Sequence, residues 1–529
     1  MQTKMAKALK NRASKQRYTS PAQGTLAGFE SPFSNHLNAG NRWVVLSKKI
    51  PWDSLVNVYQ KQLHNSQTGA DGINPRVVIG SLVIKHICDL SDRETVQQIR
   101  ENMYMQYFIG FSSFSDEAPF DPSLFVEFRK RLGAEQINLI NEKILQLYLK
   151  ETEAAAAGKN DPPPPPAMGE APPAAAPAAI THAGKLIVDA TACPQDISYP
   201  TDLNLLNDAR EKAEELIDFL YDAAKHAKKP RTYREVARKA YLKTAQKKKK
   251  TKKEIRSAVR KQLGFLNRDI KSIYKLLTAY ERMPFDRHQY KYFLVVQTLY
   301  SQQLQMYKDK VHSIEHRIVS IHQPHVRPIV RGKTNANVEF GAKIQVSLMD
   351  GFAFLEELSW EAFNEGTRLM QTIDQYKTRF GHYPKEVLVD KIYCNRENRR
   401  KLKELGIALA AKPLGRPTAM SNHIRPGERN PIEGKFGQAK SAYGMDRIKA
   451  RLQQTSESWV ATIVMVLNLV KLTGQVPFCL LAKFFTYSAG CLGSVNIQRT
   501  RRERQWLPVF EKTSLTTYSA DPTYPYWRR

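Results

Sequence analysis

The sequence predicts a mixed α/β core that is interrupted by a long basic helical insertion and preceded by an all-α region. Three observations carry this prediction. Short apolar runs at 185–191, 342–349, 352–359 and 384–390 have strand character, and the later ones alternate with helical segments. The block 202–315 is helical in pattern, with no strand signal inside it. Residues 51–150 carry apolar positions at helical spacing throughout. The 529 residues are 42% apolar, enough for about two to four domains with a large core.

Bulk charge narrows the partner. The chain carries a formal net charge of +30, an excess that favours a polyanion, with nucleic acid first among them. Five scattered cysteines without a C-x-x-C pair argue against a disulfide framework or a structural zinc site and fit a reducing compartment. Cys193 and Cys394 are expected as small buried residues. The basic N-terminus has no apolar stretch after it of the kind a signal peptide carries, and the apolar run 459–472 is short for a membrane span, so it is expected as a buried core helix.

In chain order, residues 1–40 are expected as a basic disordered arm and 41–150 as a helical DNA-binding domain. A helix from Pro75 carries a broad apolar face, and Ser91 with Glu94 forms a capping-box pattern for the next, ending near Glu101. The pair reads equally as a helix-turn-helix, with Arg93 as its candidate DNA contact, or as an ordinary helical hairpin. Residues 151–183, with Pro162–Pro166 and an Ala/Pro run, are expected as an extended linker.

The strand 185–191 then carries Asp189 near its end. In the helical block, residues 225–261 hold 17 Lys/Arg against two acids, with Lys247, Lys248, Lys249 and Lys250 as a bare run that suits phosphate contact. Strands are expected to resume at 317–321, and Asp350-Gly351 joins a hairpin. After a helix over 364–379 comes the apolar run ending at Asp390, then a charged helix closed by Gly406 and a last strand at 407–410. The stretch Arg429-x3-Glu433-x6-Lys440 opens another helix, and the helix from Trp459 is expected to cover the sheet. Residues 476–529 form a basic, aromatic tail.

With the helical block set aside, the element order matches an RNase H-like core. In such a core Asp189 and Asp390 would converge on one rim, faced by Glu433. Three carboxylates at one point need cations, and hard oxygen ligands suit two Mg²⁺ or Mn²⁺ ions about 3.5–4 Å apart acting in phosphoryl transfer. Asp196 and Asp202 are alternatives to Asp189. Trp360 reads as core packing before base stacking.

Four stretches carry a family resemblance. They are Ser91-Asp-Arg-Glu-Thr-Val-Gln-Gln-Ile-Arg-Glu-Asn, Ile187-Val-Asp-Ala-Thr with Tyr199-Pro-Thr-Asp-Leu-Asn-Leu-Leu-Asn207, Val389-Asp-Lys-Ile-Tyr-Cys-Asn-Arg-Glu-Asn398, and 429–451. Through them the chain resembles the DDE transposases of bacterial insertion sequences, in the insertion-sequence-four and insertion-sequence-five group. The resemblance covers most of 45–475. It implies Asp189, Asp390 and Glu433 as the catalytic, metal-binding acids, with Arg429 and Lys440 holding DNA phosphates. The family's signature tyrosine falls at Pro426, a departure of this chain. The resemblance further implies binding of double-stranded DNA (terminal inverted repeats and target), metal-dependent cleavage and strand transfer, a homodimer in the synaptic complex, and a bacterial cytoplasmic, nucleoid-associated location with no membrane. The alternatives are an RNase H-like nuclease without strand transfer and a non-catalytic DNA-binding derivative.

Overall fold

The computed structural model describes residues 37–61, 72–157, 181–330, 338–411 and 427–474, with Tyr18, Ser20 and Phe33. Nearly all of the expected N-terminal arm, the linker from 158 to 180, Pro426 and the C-terminal tail lie outside the described residues.

Before the sheet come α1 (Arg42–Lys49), α2 (Trp52–Gln60), α3 (Pro75–Ile87), α4 (Asp92–Glu101), α5 (Met103–Phe108), α6 (Leu124–Arg131) and α7 (Ala134–Ala157). Pro75 opens α3 behind an Asn74 cap, and every residue of α3 is buried, where the sequence suggests only one apolar face. Ser91 caps α4 by accepting from the Glu94 N–H, but the Glu94 carboxylate accepts from Gln98 instead of closing the capping box. Arg93 lies exposed in the first turn of α4, between Asp92 and Glu94. The helix α7 continues seven residues beyond 150, into the stretch expected as linker, because Ala154–Ala157 favour helix.

The six strands form one sheet. They are β1 (Lys185–Pro194), β2 (Arg327–Val330), β3 (Val338–Met349), β4 (Phe352–Ser359), β5 (Glu386–Leu388) and β6 (Ala408–Ala410). The order is β2-β3-β1-β5-β6, with β4 also on β3. The β1–β3, β2–β3 and β3–β4 pairings are antiparallel, while β1–β5 and β5–β6 are parallel. Asp350 and Gly351, both at positive φ, make the tight β3–β4 turn. Residues 317–321 are not a strand: Ile318, Val319 and Ile321 are buried between other elements with no ladder partner, and the edge strand is β2 instead.

The helix α12 (Leu369–Phe380) and α13 (Arg396–Glu404) flank β5, and α14 (Asn430–Ala442) leads to α15 (Gln453–Thr473). Although α15 is long and apolar enough to cross a membrane, it is mostly buried. It packs against α7 and β4, so the N-terminal helices and the sheet share one apolar core through it. Trp459 of α15 sits beneath the Lys85 ammonium at 4.6 Å, and Lys85 and Arg129 both pair with Asp92.

Between β1 and β2 lie α8 (Asp202–Leu220), α9 (Arg234–Ala245), α10 (Lys252–Leu277) and α11 (Arg287–Asp309), with an apolar core of their own. Reciprocal capping boxes, Thr251 with Glu254 and Asp286 with Gln289, start the two long helices. In that core Asp269 is buried, its Oδ2 without a partner among the described residues. Burial first, then Glu214, pushes its carboxyl up to about 8, against the opposing pull of Arg210, Arg268 and Arg234. The folded state therefore binds this proton more tightly than the unfolded chain. Its stabilising contribution is complete below the ordinary carboxylate range and is lost as pH rises through about 8. The free energy of urea unfolding should fall for the native chain between about pH 5 and pH 9, by an amount on the order of a few kcal/mol, and stay flatter in Asp269→Asn. Identical pH profiles would show that Asp269 is not the titrating group.

Candidate active site

The parallel register of β1 and β5 brings two acids together. Its last pair is Ile187 with Leu388, and Asp189 and Asp390 each lie two residues further on. Asp189 is in mid-strand, since β1 runs to Pro194, but it stands just past the end of its short partner. Asp390 leaves the strand altogether and caps the turn 391–393, accepting from the Lys391 N–H at 2.8 Å. Neither acid therefore ends its strand: Asp189 lies within β1 and Asp390 two residues beyond β5.

One guanidinium spans the pair. Arg429 Nη2 is 3.0 Å from Asp189 Oδ2, and Nη1 is 3.3 Å from Asp390 Oδ1. In this conformation Arg429 is engaged with the carboxylates, whereas the sequence suggests a phosphate clamp; its Nε is buried without a partner among the described residues. Asp189 also accepts from the Ala190 N–H at 2.9 Å. Burial raises the Asp189 carboxyl above its ordinary range, with Glu365 and Asp390 adding to the rise and Ala190 and Arg429 opposing it.

Glu433, in the first turn of α14, and Lys440, about two helical turns on, line the same cleft of about 780 Å³ as Asp189, Asp390 and Arg429. Three further residues of this neighbourhood escape the sequence reading. Lys343 of β3 and Glu365 line the cleft as an ion pair at 2.8 Å, both largely buried. Tyr393, fully buried, has a hydroxyl without a partner among the described residues and an ionisation far above the usual range, from burial first and then Glu365 and Asp189. No local spacing signals the Lys343–Glu365 pair, although Tyr393 lies within the stretch after Asp390.

Other candidates fall elsewhere. Asp196 pairs with Arg447 at 3.0 Å and Asp202 with Arg317 at 2.7 Å, and neither lines the cleft. Trp360 is largely buried, donates to Glu457 at 2.8 Å and packs edge-on against His325, as core packing requires. Cys193 and Cys394 are buried. Lys247–Lys250 are exposed in the loop joining α9 to α10, not on a helix, and Lys247 is ion-paired to Glu254.

Hard carboxylate oxygens at one strand rim are a donor set suited to Mg²⁺ or Mn²⁺, and two of the three already converge on a single cationic group. Among the described residues no three His, Cys, Asp or Glu are gathered closely enough to hold a metal ion, so Glu433 or Glu365 would have to close on the aspartates to complete a site.

Comparison with known proteins gives two family matches. Residues 31–131 match a family described as a transposase domain (DUF772), and residues 387–470 match one described as a transposase DDE domain. The second match takes in Asp390, Glu433 and most of α15. The chain is 29% identical over 188 residues to the uncharacterized protein ORF8 in the nfe locus of Rhizobium meliloti, covering 35% of this chain and 77% of that protein. No solved structure matches.

Proposed function

We propose, on the premise that this chain is a DDE transposase of an insertion sequence, that the cleft between β1, β5 and α14 cuts DNA at the ends of its own element and joins them to target DNA. The observation that carries this is the convergence of Asp189 and Asp390 on one guanidinium, with Glu433 lining the same cleft. Asp189, Asp390 and Glu433 are the residues that would hold divalent cations. Bound there, such ions would supply Lewis-acid charge to the scissile phosphate. Arg429 partly offsets the charge of the two aspartates in their absence, and Lys440 presents a cation to the phosphate from the Glu433 side of α14. The insertion-sequence-four and insertion-sequence-five grouping and a dimer holding two ends belong to the same proposal.

The deciding assay incubates the protein and Mg²⁺ with labelled element ends and a target plasmid. Joined product supports the reading. Cleavage without joining would replace it with a nuclease, and specific binding without chemistry with a DNA-binding derivative.

Two expectations follow. In metal-free buffer Arg429→Ala should cost about 1–2 kcal/mol, because Asp189 and Asp390 lose the cation between them. Mg²⁺, or a fall in pH through the carboxylate range, should restore more stability in the variant than in the native chain. Equal responses in thermal melts would mean that the guanidinium does not hold the pair. Separately, replacing Lys248, Lys249 and Lys250 by Gln should lower the slope of log affinity against log salt by up to about 0.9 for each phosphate that a lysine no longer neutralises. An unchanged slope would remove these lysines from the DNA path.

A further inference from the structure

We infer that Tyr199 is a stacking platform for an unpaired DNA base beside the catalytic cleft, a proposal that rests on reading that cleft as a DNA site. Tyr199 is 72% exposed, the highest value among the described aromatics. Its ring is braced edge-on by Phe340 of β3, with centroids 5.6 Å apart and planes at 87°. The segment bearing it is pinned. The Gln195 N–H donates to Phe340 O at 2.8 Å and the Asp196 N–H to Ile448 O at 2.9 Å, while Pro200 is buried and Thr201 caps α8. An exposed aromatic on a fixed backbone offers a face that loses little entropy on binding.

Its surroundings indicate what lies against that face. Tyr199 and Phe340 line a second cleft, of about 640 Å³, together with Tyr241, Lys250 and Arg317. Val330 of edge strand β2 lines both this cleft and the catalytic one, so the two adjoin along the sheet edge. On the far wall Lys250 belongs to the 225–261 segment, with its 17 basic and two acidic residues. Among the described residues lining this cleft, Arg317 is partly neutralised by Asp202, while the Lys250 ammonium is exposed to solvent. Aromatic faces flanked by cations bind single strands without sequence preference, because every base has a π-face and every step a phosphate. A strand separated at the reacting end would pass from the carboxylates over β2 onto Tyr199.

The test uses the full chain and two probes, a blunt duplex and the same duplex with a short single-stranded tail carrying 2-aminopurine. The native chain should prefer the tailed probe and quench its fluorescence. Tyr199→Ala should lose about tenfold in affinity for the tailed probe only, with no quenching, and Tyr199→Trp should retain both. Because Tyr199 is exposed, the melting temperature should not change. Equal affinities of native chain and Tyr199→Ala for the tailed probe, or equal losses on both probes, would overturn the proposal. A Mg²⁺ cleavage arm separates the two readings. Cleavage without tail preference retires the platform alone, whereas Tyr199-dependent quenching without cleavage supports the platform and retires the catalytic reading.

Discussion

Asp189→Asn, Asp390→Asn and Glu433→Gln should each lower Mg²⁺-dependent cleavage of element ends by about 10³-fold or more, while binding to those ends is largely kept. The amide at 189 preserves side-chain size and the hydrogen bond from the Ala190 N–H, so lost activity would report the missing charge. Because the three carboxylates would act as one unit, a double variant should be scarcely worse than either single one. Glu365→Gln is the informative companion, since Glu365 lines the same cleft, adds to the rise of Asp189 and already pairs with Lys343. If Glu433→Gln cuts normally and Glu365→Gln does not, the third carboxylate is Glu365. If both aspartate variants cut normally, the cleft is not the active site.

The second large effect is expected far from the chemistry. Asn468 stands in the middle of α15, fully buried in an otherwise apolar run. Its side chain behaves like a piece of strand. Oδ1 accepts from the Ala353 N–H at 2.8 Å, and Nδ2 donates to Ala353 O at 2.8 Å and to Asn141 Oδ1 at 2.8 Å. Asn141 of α7 also donates to Ala353 O, at 3.1 Å. The outer edge of β4 is thus closed by two helices, and the N-terminal helices are tied to the sheet through the same atoms. Asn468→Leu leaves the Ala353 N–H and Asn141 Oδ1 buried and unmet and should cost about 2–4 kcal/mol, despite the apolar gain. Urea unfolding measures it, and a stability equal to the native chain would mean that water reaches this edge.

Several features were legible because they are local. Gly406 ends α13 at positive φ, Asp350-Gly351 turns the hairpin, and β1, β3, β4, β5 and β6 each coincide with an expected apolar run, although β1 and β3 extend beyond it and β5 covers only part of it. The error at 317–321 has a clear cause, since an apolar run is buried whether or not it finds a ladder partner, and here it fills space beside the insertion. Likewise α15 begins six residues before Trp459, because its first turns are polar and carry no apolar signal. Asn468, an interruption in an apolar run by composition, is the residue that satisfies the sheet edge.

Apart from the edge strand β2, the element order, the basic character and a set of candidate acids were readable from the chain alone, because periodicity, charge and residue type are properties of short stretches. Tertiary structure alone decided that Arg429, 240 residues from Asp189, lies on both aspartates, that Lys343 and Glu365 enter their cleft, and that Tyr199 stands beside it. Those outcomes depend on strand register and on which distant segments exclude water together. Neither is encoded in the spacing of any one stretch.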